Sequence, residues 1–434
     1  MLRVALPVVL AELGWMAMGV VDTIMVGPLG PQAIAASGVS NSLSFAFAVF
    51  GMGLLLGLDT LVSQAFGARR MHECNRWFWH GMALASAIVP LLLGASWLLL
   101  LLVPSMGFHP EVAPLVEEYF AILLWSGAPL IFYAAFRRYL QAIHAATAVM
   151  VALVTANIIN AAGNWVFIYG HFGAPELGLR GSALATLAAR IYLAIFLLVA
   201  VVYYDVRRQG ELTRVTRAIE WARIRRMLAL GFPAASTVAL EVGVFAAATA
   251  FAGKLTPVEA ASHQIALNIA AVAFMVPLGL ASAGAVRVGH AVGANHPPRA
   301  AAAGWTAILL GVVFTVATAS LFLAMPRLLI GLFTSNQPVL ALGSSLLFVA
   351  AVFQLFDGVQ GVATGVLRGL GDTRTPMLTN FAGHWIVGLP LGYSLCFVFG
   401  FGVIGLWIGL SAGLIIAGVV LLWMWNRRIH ALQG

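Results

Sequence analysis

Long apolar stretches, each followed by a short polar one, occupy almost the whole chain. A helix that crosses the hydrocarbon core of a bilayer needs about 20 apolar residues, and twelve stretches reach that length. The pattern therefore predicts an all-α polytopic membrane protein with twelve transmembrane helices. They are expected at about residues 4–27, 38–64, 80–103, 117–136, 148–169, 182–203, 230–253, 263–289, 301–323, 340–366, 377–400 and 402–425.

One polar stretch is much longer than the others and divides the chain in two. It covers residues 205–227, is rich in arginine and carries apolar residues at helical spacing. We interpret it as a basic amphipathic linker on the cytoplasmic membrane surface; a solvated connector explains the pattern equally well. The predicted organisation is a six-helix N-lobe (1–204), a linker (205–228) and a six-helix C-lobe (229–434).

The two halves repeat each other weakly. Pro7 matches Pro233 at an offset of 226 residues, and a Gly-Ala pair recurs at 67–68 and 293–294. Because each half has an even number of spans, both halves have the same orientation. A pseudo-twofold axis along the membrane normal is therefore expected to relate the lobes, with a cavity between them. Pro7 and Pro233 lack a backbone donor and are predicted to bend their helices.

Composition and charge support the membrane assignment. The chain is 62% hydrophobic and 9% charged, with a mean hydropathy of +0.98, and these values exclude a soluble domain. The twelve-span arrangement places 19 of the 23 Lys and Arg residues on one side, which the positive-inside rule makes the cytoplasm, together with both termini. The arginines are scattered over five loops, so the net charge of +8 does not indicate nucleic acid. The first stretch is expected to be a span rather than a cleaved signal peptide.

Three carboxylates, Asp22, Glu241 and Asp357, lie inside predicted spans. A charge near the bilayer centre costs roughly 2.5–3.5 kcal/mol, and such residues usually face a cavity or an ion path. The three acids therefore predict a site for something positive. The repeat aligns none of them with another acid, so the two lobes are expected to perform different tasks.

Other charged and imidazole side chains in or near the spans have less specific interpretations. Glu12 fits a functional role and a position at the membrane interface equally well. Asp59 and Arg190 are placed nearer helix ends, where structural ion pairs are expected. His263 and His384 are expected to be hydrogen-bonded within the fold rather than to carry protons.

Four amide side chains mark the predicted eighth and tenth helices. Gln264 and Asn268 share a helix face because they are four residues apart, and Gln354 and Gln360 lie on the tenth helix. They are candidates for a polar lining of the C-lobe. Hydrogen bonds between helices would explain them as well.

Several motifs, taken together and in order, give the chain a family resemblance. They are VDTIMVG at 21–27, Asn160 with NWVFIYG at 164–170, GFP at 231–233 followed by Glu241, QLFDGVQ at 354–360 and RGLGDT at 368–373. With them the chain resembles the MATE (multidrug and toxic compound extrusion) transporters over essentially its whole length, specifically their NorM-type bacterial branch.

The resemblance implies a secondary active antiporter rather than an enzyme. Such a protein exports organic-cation drugs and toxic compounds by alternating access, in exchange for Na⁺ and/or H⁺, and needs no other cofactor. A monomer in the bacterial inner membrane is expected, with the lipid bilayer, the coupling ion and small organic cations as its partners.

The resemblance also assigns roles to individual residues. Asp22 falls on the acid of the N-lobe, and Glu241 and Asp357 fall on the acid pair of the C-lobe, where Na⁺ is expected to bind. Candidate further ligands in the N-lobe are Asn160, Asn164 and Thr186. Other branches often carry an aspartate at the position of Asn164, and this difference moves the expected coupling site to the C-lobe pair.

Three rival functions remain at this stage. A lipid-linked precursor flippase of the same superfamily would be expected to hold pyrophosphate with basic residues, whereas the intramembrane charges here are mainly acidic. Tyr204-Asp205 and the GLGD run at 369–372 resemble the paired motifs of intramembrane aspartyl proteases, but both are predicted at cytoplasmic helix ends among arginines. A pore is disfavoured because nothing resembles a selectivity filter.

Overall fold

The computed structural model describes residues 2–207, 212 and 214–433, and all regular secondary structure within them is helical. Twelve helices are long and apolar enough to cross a membrane. We label them α1 to α12: Ala5–Leu29, Pro31–Gly67, Met71–Ser105, Ala113–Ala142, Ala146–Tyr169, Leu179–Arg207, Trp221–Ala252, Pro257–Gly293, Pro297–Ala324, Gln337–Leu370, Arg374–Val398 and Gly402–Gln433. The prediction of an all-α polytopic membrane protein with twelve spans is confirmed.

The ends of the helices differ from the predicted ends because helices continue beyond the apolar windows. α7 begins at Trp221 instead of residue 230, so the last part of the predicted linker is the first two turns of this helix. Asp205 and Arg207 belong to α6. Residues 208–211 and 213 of the linker lie outside the described residues.

The chain forms two compact units. The first unit consists of Leu10–Ala235, and the second unit consists of Met1–Val9 together with Ser236–Gly434. The boundaries fall inside α1 and α7, two residues after Pro7 and Pro233. Each of these helices therefore contributes its beginning to one unit and the rest of its length to the other.

Close packing of backbone holds the beginning of each divided helix in its unit. In the first unit, a Cβ added to Gly231 of α7 would lie 2.0 Å from the carbonyl oxygen of Leu54 in α2. In the second unit, a Cβ on Gly279 of α8 would lie 2.7 Å from the Cα of Val9 in α1. Small residues allow membrane helices to approach this closely. The two contacts repeat each other, since α2 and α8 occupy equivalent places in the repeat.

α11 departs from regular α-helical geometry. Phe381–Gly388 and Ser394–Val398 are π-helical, with an α-helical turn from Leu389 to Tyr393 between them. Pro390 lies in that turn and supplies no backbone donor. π-helical segments are rare in proteins, and those that occur often lie at functional sites. The residues beside the first segment are therefore candidates for a functional site.

Candidate functional site

A buried polar cluster in the first unit is built on Asp22, a residue of α1 that is only 5% exposed. Asn164 of α5 donates its Nδ2 to Asp22 Oδ1 at 2.6 Å. Thr186 of α6 donates its hydroxyl to Asp22 Oδ2 at 3.0 Å. Asn160, one turn before Asn164, accepts from the same Nδ2 at 3.3 Å. The four residues proposed for the N-lobe thus lie together, on three helices.

One atom of this cluster has no protein partner. Asn164 Oδ1 is buried and makes no hydrogen bond. With the two oxygens of Asp22 and the hydroxyl of Thr186, Asn164 Oδ1 gives a set of carboxylate, amide and hydroxyl oxygens, which are the donors that hard cations prefer. The donor chemistry fits Na⁺.

Two further side chains, Tyr119 and Arg190, lie near Asp22, and sequence reasoning assigned neither of them to the site. Arg190 was predicted near a helix end with a structural ion pair. It lies instead well inside α6 (Leu179–Arg207), and its guanidinium donates to the hydroxyl of Ser126 at 2.6 Å. The expected ion pair is not formed, since no carboxylate of the described residues lies within 4.0 Å of Arg190 and the partner is a hydroxyl.

In the second unit, Glu241 of α7 and Asp357 of α10 are near enough to repel each other. Glu241 Oε1 accepts from Gln360 Nε2 at 2.5 Å and from Asn380 Nδ2 at 3.0 Å. Gln360 Nε2 also donates to Asn380 Oδ1 at 2.8 Å. No described residue donates a hydrogen bond to Asp357. The site holds one carboxylate with two amide donors and a second carboxylate with none.

Asn380 is a site residue that sequence reasoning did not identify. It ends the α-helical start of α11, directly before the π-helical segment that begins at Phe381. A second bond joins the same two helices, since Trp385 Nε1 donates to the carbonyl of Leu240 at 3.1 Å. α11 is thus bonded to α7 at the adjacent residues Leu240 and Glu241. An uncharged polar residue within a span was the available signal.

The other predicted amides of the C-lobe are not bonded to the acid pair. Gln264 donates to Asn268 at 3.2 Å across one turn of α8, and both side chains are exposed. Gln354 is fully buried, and neither its Nε2 nor its Oε1 has a hydrogen-bond partner. Of the four, Gln360 alone contacts Glu241.

Two further acids within the spans of the first unit, Glu12 and Asp59, form structural ion pairs. Glu12 accepts from Arg137 in a buried pair, which gives it a partner separate from the Asp22 cluster. Asp59 pairs with Arg138 at 3.2 Å, as predicted.

The two intramembrane histidines differ. His263 accepts from Trp407 Nε1 at 3.1 Å through its Nδ1, and its Nε2 lies 3.1 Å from the hydroxyl of Thr249. It is hydrogen-bonded within the fold, as expected. His384 Nε2 is buried without a partner, so that expectation does not extend to this atom.

The two aspartates that resembled a protease pair, Asp205 and Asp372, make structural contacts. Asp205 accepts from the backbone of Leu212 at 2.9 Å. Asp372 accepts from Thr375 at 3.0 Å and pairs with Arg428 at 2.9 Å. Both carboxylates therefore have structural partners.

Known proteins resemble this chain over nearly its whole length. The MatE family model matches residues 7–166 and 233–394, once in each half of the chain. A protein of Mesorhizobium japonicum named "Probable multidrug resistance protein NorM" is 38% identical over 98% of this chain and 93% of the relative. The "Multidrug resistance protein NorM" of Burkholderia vietnamiensis is 36% identical over 99% of this chain and 94% of the relative.

Solved structures share the fold. The structure titled "Crystal structure of MATE in the bent conformation" has a TM-score of 0.88 at 21% identity and covers 100% of this chain and 95% of that one. A eukaryotic MATE transporter, AtDTX14, has a TM-score of 0.86 at 21% identity, covering 99% of this chain and 97% of that one. With the family model and the relatives, these matches establish that the chain belongs to the MatE family, in its NorM-type bacterial branch.

Proposed function

We propose that this protein is a multidrug efflux transporter that exports small organic cations across the bacterial inner membrane by alternating access, in exchange for Na⁺ and/or H⁺. Membership of a transporter family supports transport rather than catalysis. Relatives named as multidrug resistance proteins support drugs as the substrates.

The observation that carries this proposal is the pair formed by Glu241 and Asp357. Two neighbouring carboxylates repel each other, and no cationic side chain of the described residues pairs with either of them. Within a membrane such a pair is costly unless a cation or a proton compensates it. Na⁺ at Glu241 and Asp357 would find carboxylate oxygens, with the amide oxygens of Gln360 and Asn380 close by.

Coupling follows from competition for this negative charge. A bound ion neutralises the pair and favours the arrangement that releases drug outside, and its release into the cell restores affinity for a cationic drug. The membrane potential adds about 2.3 kcal/mol per charge moved through 100 mV. Asp22, with Asn160, Asn164 and Thr186, supplies a second cation site in the first unit. Bends at Pro7 and Pro233, each next to a boundary between the units, accommodate the change of state.

Several accompanying properties belong to the same proposal. We expect both termini in the cytoplasm and a functional monomer. The division into an N-lobe (1–204), a linker (205–228) and a C-lobe (229–434) stays a prediction, as does a lining role for Gln264, Asn268 and Gln354.

The test uses proteoliposomes and the fluorescent cation ethidium. An imposed Na⁺ gradient or an imposed pH gradient should move ethidium with the wild type and with Glu176→Gln, a control at an exposed loop carboxylate. Glu241→Gln should move none, although it remains folded. Full ion-driven transport by Glu241→Gln would refute the assignment. Folded wild type that moves ethidium under neither gradient would refute antiport of organic cations and direct attention to lipid-linked substrates.

A further inference from the structure

Arg190 is a cationic side chain in the interior of a span. It lies eleven residues after the start of α6 (Leu179–Arg207), or about 16 Å along the helix axis. Its Nε is buried without a hydrogen-bond partner. A charge placed well inside a membrane helix is costly and usually has a functional partner. A negatively charged partner for the guanidinium of Arg190 is therefore expected nearby.

The spacing along α6 identifies that partner. Thr186 and Arg190 are four residues apart and so share a face of the helix. Thr186 donates to Asp22 at 3.0 Å, and Arg190 lies one turn further along the same face. Ser126 holds the guanidinium there by accepting from Nη1 at 2.6 Å.

Of the three buried acids Glu12, Asp22 and Asp59 of the first unit, Asp22 is the one without an ion pair. Among the described residues no carboxylate lies within 4.0 Å of Arg190, whereas Glu12 is paired with Arg137 and Asp59 with Arg138. Asp22 carries the opposite charge and is bonded to Thr186, which lies one turn from Arg190 on the same face of α6. Together they make the cluster of the first unit close to neutral when it is empty. The acid pair of the second unit has no such compensation.

We propose that Arg190 is a built-in counter-ion for Asp22, which limits how tightly the first unit retains a cation and thereby allows its release. The inference rests on the proposed function and names the residue that sets cation affinity at one of its two sites. The positive charge of Arg190 offsets part of the attraction between Asp22 and a bound cation, and this lowers the affinity for the cation. Arg190 acts through Asp22, without touching the cargo.

The test is a double-mutant cycle with tetraphenylphosphonium as the probe cation. Its affinity is measured by quenching of tryptophan fluorescence in purified protein, in an Asp357→Asn background that removes one acid from the second unit. Arg190→Gln should bind the probe roughly tenfold more tightly and release it more slowly, whereas Arg190→Lys, which keeps the charge, should stay near the parent. Arg190→Gln should have no effect once Asp22→Asn is present, since the two residues act as one unit.

Controls separate charge from folding. Arg327→Gln removes an exposed arginine and should leave affinity unchanged. If Arg190→Gln does not fold, Arg190→Met removes the same charge without adding a polar group.

Three results would overturn the inference: unchanged or weaker affinity in the charge-removing variants, equal affinity in Arg190→Lys and Arg190→Gln, or an undiminished effect of Arg190→Gln with Asp22→Asn. If the wild type moves ethidium in proteoliposomes, any of these results removes the role of Arg190 and leaves the proposed function standing. If the wild type neither binds nor moves the cation, both fall together.

Discussion

Asp357 is the carboxylate whose removal gives the most informative result. It is 8% exposed, receives no hydrogen bond from the described residues and lies within the repulsive field of Glu241. Asp357→Asn keeps the shape of the side chain and removes the charge. Two effects of opposite sign follow, one on the empty protein and one on the cation complex.

The size of the second effect follows from Coulomb's law. A carboxylate about 4 Å from a cation contributes about 4 kcal/mol at an effective dielectric constant of about 20, which corresponds to roughly a thousandfold in Kd. Asp357→Asn should therefore abolish binding at millimolar Na⁺. The empty variant should at the same time be more stable than the empty wild type, because an unpaired charge and its repulsion have been removed.

Thermal unfolding in detergent measures both effects when Na⁺ replaces K⁺ at constant ionic strength. At a Na⁺ concentration about 100 times Kd, binding stabilises the wild type by about 2.7 kcal/mol. Asp357→Asn should start from a higher melting temperature and gain nothing from Na⁺, whereas Glu176→Gln should behave as the wild type. An Asp357→Asn protein that melts lower when empty and keeps the full gain from Na⁺ would refute the reasoning.

Three further predictions concern the supporting structure. Glu12→Gln should lower the free energy of unfolding by about 3 kcal/mol, because it leaves the buried charge of Arg137 without its partner; unfolding in detergent measures this, and an unchanged melting temperature would contradict it. Asn380→Leu should weaken Na⁺ binding by roughly 10- to 150-fold, since Glu241 loses a hydrogen bond worth about 1.5–3 kcal/mol; calorimetric titration measures this, and wild-type affinity would contradict a role for α11 in the site. Gly365→Leu should prevent folding, because even a Cβ there would lie 2.3 Å from a backbone oxygen of α8; a monodisperse protein with wild-type transport would disprove that packing.

The spans were predictable because a bilayer imposes a minimum length on every apolar helix that crosses it. Their ends were not, since helices continue into water wherever the residues beyond the bilayer also favour a helix. The start of α7 at Trp221 illustrates this: the segment WARIRRM is too polar for a membrane window but continues the same helix. Hydropathy measures burial in lipid, whereas the helix ends where its backbone hydrogen bonds end.

The acids of the site were predictable, and part of their surroundings was not. Asp22 and Asp357 stand out because a charge within an apolar span requires an explanation. Asn380 reaches Glu241 only because α11 packs against α7. The periodicity of the sequence does not indicate which helices are neighbours, so this contact could not be predicted. Arg190 was assigned a structural ion pair because an arginine near the end of an apolar window normally pairs at the interface. Its partner at hydrogen-bond distance is a hydroxyl on a distant part of the chain.

Exchange of a drug for an ion can be measured by reversing the transport experiment. Proteoliposomes are loaded with ethidium and diluted into medium without it, and internal Na⁺ and pH are recorded as ethidium leaves. Outward ethidium movement should drive Na⁺ or H⁺ inward although no ion gradient has been imposed, and Glu241→Gln should abolish both fluxes together. Ethidium leaving through the wild type with no opposing ion movement would contradict antiport.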